Sequence, residues 1–253
     1  MCTEAPKTDA VEKCKDCPCL GGHNASIDGV SPISSYSGDL PSPYPLYWYA
    51  TGTGNGPIKI DAMTIRAWTK EASKYHGVPY LLSALILQQE NGPNATEWQK
   101  RGQFAERSAT TFAAIMDEWF FDVVPDRIAG SSSGIANLSR ATLRSAAEYI
   151  ESNYCRPIIP DDVRNRLRGW SQDTRIPGDD LRADLYYMTG HLRELIDRIT
   201  GKKCFDGPLT VDQVQKIAAA YNGSGPKAEK YGKDAIERIK RAEAGTEPLY
   251  FYE

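Results

Sequence analysis

Val78-Pro79-Tyr80-Leu81-Leu82-Ser83-Ala84-Leu85-Ile86-Leu87-Gln88-Gln89-Glu90 is an apolar helical run that ends in a charge, and the turn signal Asn91-Gly92-Pro93-Asn94 follows at once. A carboxylate at the end of so greasy a helix is expected to sit half in the core and half in a cleft. Burial disfavours the ionised form and raises the pKa, so such a group can hold a proton near neutral pH. That is the property of a general acid.

Outward from this run, the pattern stays helical. Asp61 to His76 places Met63, Ile65, Trp68 and Ala72 at three-to-four spacing, and Gly77 separates it from the run that ends at Glu90. Ser108 reads as an N-cap for Ala109 to Phe121, with Phe112, Ile115, Met116 and Trp119 on one face. Ser139 caps Arg140 to Asn153, and Pro160 opens a short helix through Leu167. A longer helix covers 179–200, with Leu181, Leu185, Met188, Leu192, Leu195 and Ile199 on its apolar face. Thr210 caps Val211 to Tyr221, and Pro226 begins a last helix through Ala242 that ends near Gly245. No strand alternation and no repeat stand out. The expected class is mostly α.

Residues 1–60 read differently. Gly21-Gly22, Ser31-Pro32, Pro41-Ser42-Pro43 and Gly52-Thr53-Gly54-Asn55-Gly56-Pro57 mark loop or extended chain. The expected division is an irregular extension over 1–60 and a helical domain over 61–253. Tyr44, Tyr47, Trp48 and Tyr49 form an aromatic knot in that extension. Such a knot usually anchors a loop on the core and less often stacks on sugar rings.

Bulk properties narrow the function classes. With 41% hydrophobic and 25% charged residues, the chain has an ordinary globular composition. A net charge of −3 gives no basic footprint, so nucleic acid is not an expected partner. A local cleft can still differ from that average, so an anionic wall polymer is compatible with it. No stretch has the length of a membrane span. The polar start Met1-Cys2-Thr3-Glu4-Ala5-Pro6-Lys7 is not the apolar core of an ordinary signal peptide.

The cysteines fall into two sets. Cys2, Cys14, Cys17 and Cys19 crowd the N-terminus, and Cys155 and Cys204 stand apart. Cys14, Cys17 and Cys19 with His23 have the residue types of a zinc site, but a Cys-x-Cys step is cramped for one tetrahedral ion. Disulfides within the tail, or thiols, are the expected state, and no metal or cofactor is expected. Cys155 and Cys204 either pair with each other or are separate small buried thiols. His23, His76 and His191 have no metal-ligand or triad-like spacing.

Two further segments turn Glu90 into a constellation: Ser131-Ser132-Ser133-Gly134-Ile135-Ala136-Asn137-Leu138, and Ala218-Ala219-Ala220-Tyr221-Asn222-Gly223-Ser224-Gly225. In that order the three segments resemble the lytic transglycosylases and their goose-type lysozyme relatives, over roughly residues 61 to 243. That family has a helix ending in a catalytic Glu, usually followed by Ser; then a Gly-Leu-Met-Gln-like turn; then an Ala-Tyr-Asn-Ala-Gly-like helix end. Asn91 stands here for the usual Ser, and Asn137 for the usual Gln. Both replacements keep a hydrogen-bonding group.

The resemblance implies a lysozyme-like α-domain that cuts the MurNAc-β-1,4-GlcNAc bond of peptidoglycan. Glu90 would be general acid and then base, and 1,6-anhydroMurNAc ends would form. It also implies that Tyr221 reaches back to Glu90, that Asn222 shapes the cleft, and that Ser133, Gly134, Ile135 and Asn137 hold the sugar. On the same fold a hydrolytic muramidase would use Asp126 or Asp122 to position water, and Glu97 and Glu106 are further carboxylates of lower standing. A wall-binding or assembly module without catalysis is the alternative from another class. An enzyme of this kind without an ordinary signal peptide suggests a specialised secretion route to the periplasm. An antibacterial effector, met by an immunity protein that plugs the Glu90 cleft, fits that reading.

Overall fold

The computed structural model describes residues 26–38, 47–49, 57–59, 62–91, 136–164 and 181–253. The described chain is mostly helical. Its elements are β1 (Tyr47–Tyr49), β2 (Pro57–Lys59), α1 (Ala62–His76), α2 (Tyr80–Asn91), α3 (Arg140–Tyr154), α4 (Asp161–Arg164), α5 (Leu181–Thr200), α6 (Val211–Tyr221) and α7 (Pro226–Glu243). The helix expected over Ala109 to Phe121 lies outside these residues, as do the N-terminal cysteines, Tyr44 and His23. No described helix is long and apolar enough to cross a membrane.

Local chemistry sets the boundaries. Ser139 accepts from the Thr142 amide at the start of α3. Thr210 and Gln213 form a reciprocal capping box at the start of α6. Gly77 closes α1 in the left-handed region at φ 62°, and the Val78 amide returns to the Ser73 carbonyl at 2.9 Å. α2 leaves directly from that turn.

α5 is the central helix. Every residue from Ala183 to Gly190 is buried, and α1, α3 and α6 pack around it. α2 lies against α1, α5 and α7. From Leu82 to Gln88 every α2 residue is buried, as an all-round apolar helix requires. Met63, read from its spacing as an inward position, is instead exposed, because α1 turns Ile65, Thr69, Ala72 and His76 inward.

Two short antiparallel strands, β1 and β2, occur where only irregular chain is expected. The 26–38 segment is also tied to the helical domain. Ile27 joins the hydrophobic core and forms a parallel bridge to Leu209, and the Tyr36 amide donates to the Tyr252 carbonyl at 2.9 Å. Cys155 is disulfide-bonded, whereas Cys204 is a thiol. The two therefore do not pair with each other.

α6 and α7 approach closely at Gly232. A Cβ at that position would lie 2.5 Å from the Gln215 backbone oxygen and 3.1 Å from the Ala219 Cβ. Only a glycine lets α7 sit this near. Gly232→Ala should therefore cost about 2 kcal/mol of stability and lower the melting temperature by roughly 4–8 °C. Thermal unfolding by circular dichroism reads this directly, and an unchanged midpoint would show that the helices separate without cost.

His76 is fully buried, its Nδ1 2.7 Å from the Thr189 hydroxyl. Burial, with Arg156 and Arg193 nearby, pushes its pKa down from 6.5 to about 3. Between those values the unfolded chain binds a proton that the folded chain refuses, so stability falls as pH drops from 6.5 towards 3. The slope is about 1.4 kcal/mol per pH unit for this one group. Denaturant unfolding across that range should show a shallower acid slope for His76→Gln than for the wild type.

Candidate functional site

The end of α2 is a run of three polar residues, Gln88-Gln89-Glu90, and each one bonds outside its own helix. Gln88 is fully buried; its Nε2 donates to the Pro248 carbonyl at 3.1 Å, and its Oε1 accepts from the Tyr250 amide at 2.7 Å. Gln89 Nε2 donates to the Tyr231 carbonyl at 3.0 Å. Glu90 Oε1 accepts from the Tyr231 hydroxyl at 2.5 Å. Asn91 then turns back and donates from Nδ2 to the Leu87 carbonyl at 2.7 Å, closing the helix end. Glu90 is half-buried, as its position at the end of an apolar run implies.

Tyr231 is thus gripped at both ends, its carbonyl by Gln89 and its hydroxyl by Glu90. Its phenol is pushed well above the ordinary tyrosine range. Burial is the main cause, followed by the charge of Glu90, the hydrogen bond to it, and the neighbouring Tyr221. The hydroxyl therefore stays protonated across physiological pH. A phenol can donate to a carboxylate and also accept from a carboxylic acid, so it serves Glu90 in either protonation state.

The resemblance gives Tyr221 the role of reaching Glu90. The hydroxyl found 2.5 Å from the Glu90 carboxylate belongs instead to Tyr231, one helix later. Tyr221 donates to the Ala136 carbonyl at 2.5 Å. It thereby joins the end of α6 to the turn that precedes α3, the second and third of the sequence segments. Asn137 sits in that turn in the left-handed region at φ 52°, a conformation that asparagine tolerates better than most residues. Asn222 is exposed at the C-cap of α6. Because Tyr221 and Tyr231 interact, the three segments converge on one region through Glu90, Tyr231, Tyr221 and Ala136.

Behind Tyr221, the His191 ring lies 5.7 Å away and tilted by 48°, and His191 Nδ1 is 3.1 Å from Glu194 Oε2. The hydrogen bond from His191 pulls the Glu194 carboxyl below its usual range. Ser133, Gly134, Ile135, Asp122, Asp126, Glu97 and Glu106 lie outside the described residues. Among the described residues, no group of three or more His, Cys, Asp or Glu side chains is arranged to hold a metal ion.

Sequence reasoning missed Tyr231. The neighbouring Gly232 signals the close approach of α7 to α6 and not the contact with Glu90, so no local signal pointed to Tyr231. No family model, curated protein or solved structure matches the chain.

The Glu90–Tyr231 bond makes a testable statement about titration. Removing the Glu90 charge removes two of the causes that raise the Tyr231 phenol. In Glu90→Gln, the Tyr231 13Cζ resonance should titrate at lower pH than in the wild type. An unchanged midpoint would mean that the two side chains are not bonded in solution.

Proposed function

We propose that this chain cleaves the glycan strands of peptidoglycan as a lytic transglycosylase, with Glu90 as general acid and then general base. The observation that supports the reading is the Glu90–Tyr231 pair, a half-buried carboxylate at the end of a buried helix, held through one oxygen by a neutral phenol. The segment order and the family resemblance add to it.

The steps use one carboxyl group. Protonated Glu90 gives its proton to the glycosidic oxygen as the bond from C1 of the MurNAc breaks, and the GlcNAc leaves as an alcohol. The substrate's own N-acetyl group shares the positive charge at C1. Glu90, now a carboxylate, takes the proton of the 6-hydroxyl as that oxygen attacks C1. The product is a 1,6-anhydro end, no water is consumed, and Glu90 returns to its acid form. Tyr231 holds the Glu90 rotamer throughout, donating to the carboxylate and accepting from the acid. The setting we infer is the periplasm or cell wall of a target cell, reached by a specialised secretion route and opposed by an inhibitor protein that covers Glu90.

Mass spectrometry of purified peptidoglycan digested by the wild type, Glu90→Gln and Tyr231→Phe tests the mechanism. Anhydro-muropeptides are expected from the wild type, none from Glu90→Gln, and a rate about 10–100-fold lower from Tyr231→Phe. Reducing ends would move the assignment to a hydrolytic muramidase. Binding without any product would move it to a wall-binding module. Wild-type protein directed to the periplasm of a Gram-negative host should lyse the cells while Glu90→Gln does not, and survival of both would oppose the effector role.

A further inference from the structure

After α7 the chain reverses. Gly245 takes the left-handed region at φ 68°, and the Thr246 amide donates to the Arg241 carbonyl at 2.9 Å. This turn brings Glu247 back over α7 and lays residues 248–251 across α2. Pro248 and Tyr250 hold the two ends of the Gln88 amide, Leu249 and Phe251 are fully buried, and Tyr80 donates to the Phe251 carbonyl at 2.8 Å. Arg66 of α1 donates to the Tyr250 carbonyl at 2.7 Å.

Glu247 stands at the junction. Its Oε1 pairs with Arg238 and lies 3.4 Å from Gln88 Nε2, and its Oε2 accepts from Arg241 Nε at 2.7 Å. One carboxylate therefore bonds both α7 and α2. Arg238 and Tyr231 are seven residues apart, two helical turns, so they share one face of α7 and stand about 10 Å apart along it. On that face α7 meets α2 through Tyr231–Glu90 and through Arg238–Glu247–Gln88.

We propose that Glu247 is a positioning residue for the Glu90–Tyr231 pair, holding α7 at the distance from α2 at which the phenol meets the carboxylate. The functional half of this proposal rests on the reading of Glu90 as the acid; the structural half does not. The two bonds at Tyr231, from Gln89 to its carbonyl and from its hydroxyl to Glu90, hold α7 to α2 at one level only, and a further hydrogen-bonded point two turns away fixes the separation and tilt of α7 along its length. Glu247 touches no substrate in this scheme and acts through Tyr231.

The test follows the Tyr231 13Cζ titration in wild type, Glu247→Ala, Glu90→Gln and the double variant, with cooperative thermal unfolding confirming that each is folded. Glu247→Ala is expected to lower the Tyr231 midpoint, because the phenol withdraws from Glu90. The double variant is expected to show no further fall than Glu90→Gln, because the same contact is already lost. A folded Glu247→Ala with an unshifted midpoint overturns the proposal. So does a fully additive fall, which would assign the effect to the uncompensated charge of Arg238 and not to geometry. Should the alanine variant not fold, Glu247→Gln, which keeps the shape of the junction and removes its charge, is expected to leave the Tyr231 midpoint in place, and a fall as large as that of Glu90→Gln would assign the effect to charge and overturn the proposal. On peptidoglycan, Glu247→Ala should lower kcat about tenfold and leave KM unchanged, and a rise in KM at constant kcat would overturn a positioning role. If the titrations behave as expected and the wild type cleaves nothing, the junction stands and the enzymatic reading falls.

Discussion

Burying Arg193 and Asp197 within α5 obliges several other segments to come to them. Both side chains are almost fully enclosed and pair across one helical turn. Taking two charges out of water costs several kcal/mol per ion, and the cost is offset only where further hydrogen bonds complete both partners. Asp197 accepts from Tyr149 and Tyr154 of α3. Arg193 donates to the Gly77 carbonyl at 3.1 Å and the Phe205 carbonyl at 3.0 Å. Tyr154 in turn accepts from the Cys204 amide at 3.2 Å. One ion pair thus fixes α3, the α1–α2 turn and the connection into α6 against the central helix. Losing either charge would leave the other buried alone, at about 3–5 kcal/mol.

The Gly77 carbonyl links this core to the site. α2 leaves from that turn and runs about 15 Å to Glu90. Its first end is fixed by Arg193 through Gly77, and its last by the bonds of Gln88, Gln89 and Glu90 to α7 and the returning chain. A carboxylate on a helix held at both ends keeps its geometry far better than one on a loop, and the acid role proposed for Glu90 would demand such precision.

The sequence carried the helices well because their ends are written in local chemistry. Ser139, Thr210 with Gln213, Gly77, Pro226 and Gly245 are capping or stop signals whose effect reaches only a few residues, and the observed boundaries fall within a residue or two of them. The half-buried placement of Glu90 was legible for a similar reason, a charge at the end of an apolar run. What stayed hidden is non-local. Nothing near Ile27 in the chain announces Leu209, and nothing near Tyr231 announces Glu90, 141 residues away. Arg193 and Asp197 show the same limit. An i, i+4 pair of opposite charges reads as a solvated helix face, and only the tyrosines of α3 and the carbonyls of two turns make it a core feature. Tyr221, placed by resemblance against Glu90, lies one contact further out.

The choice of partner for Glu90 completes the physical picture. A guanidinium beside a carboxylate holds it ionised, which suits a structural ion pair and defeats a proton donor. A neutral phenol orients the carboxylate by a hydrogen bond and brings no opposing charge of its own. Arg238 shares the α7 face with Tyr231 and contributes a positive potential there, as its lowering effect on the Tyr231 phenol shows. Glu247 sets a negative charge directly against Arg238 and Arg241. The same carboxylate therefore pairs with two cations of α7 and bonds α2 at once. The acid-then-base cycle proposed for Glu90 needs a fixed position above all, and the bonds at the end of α2 and along α7 give that carboxylate one.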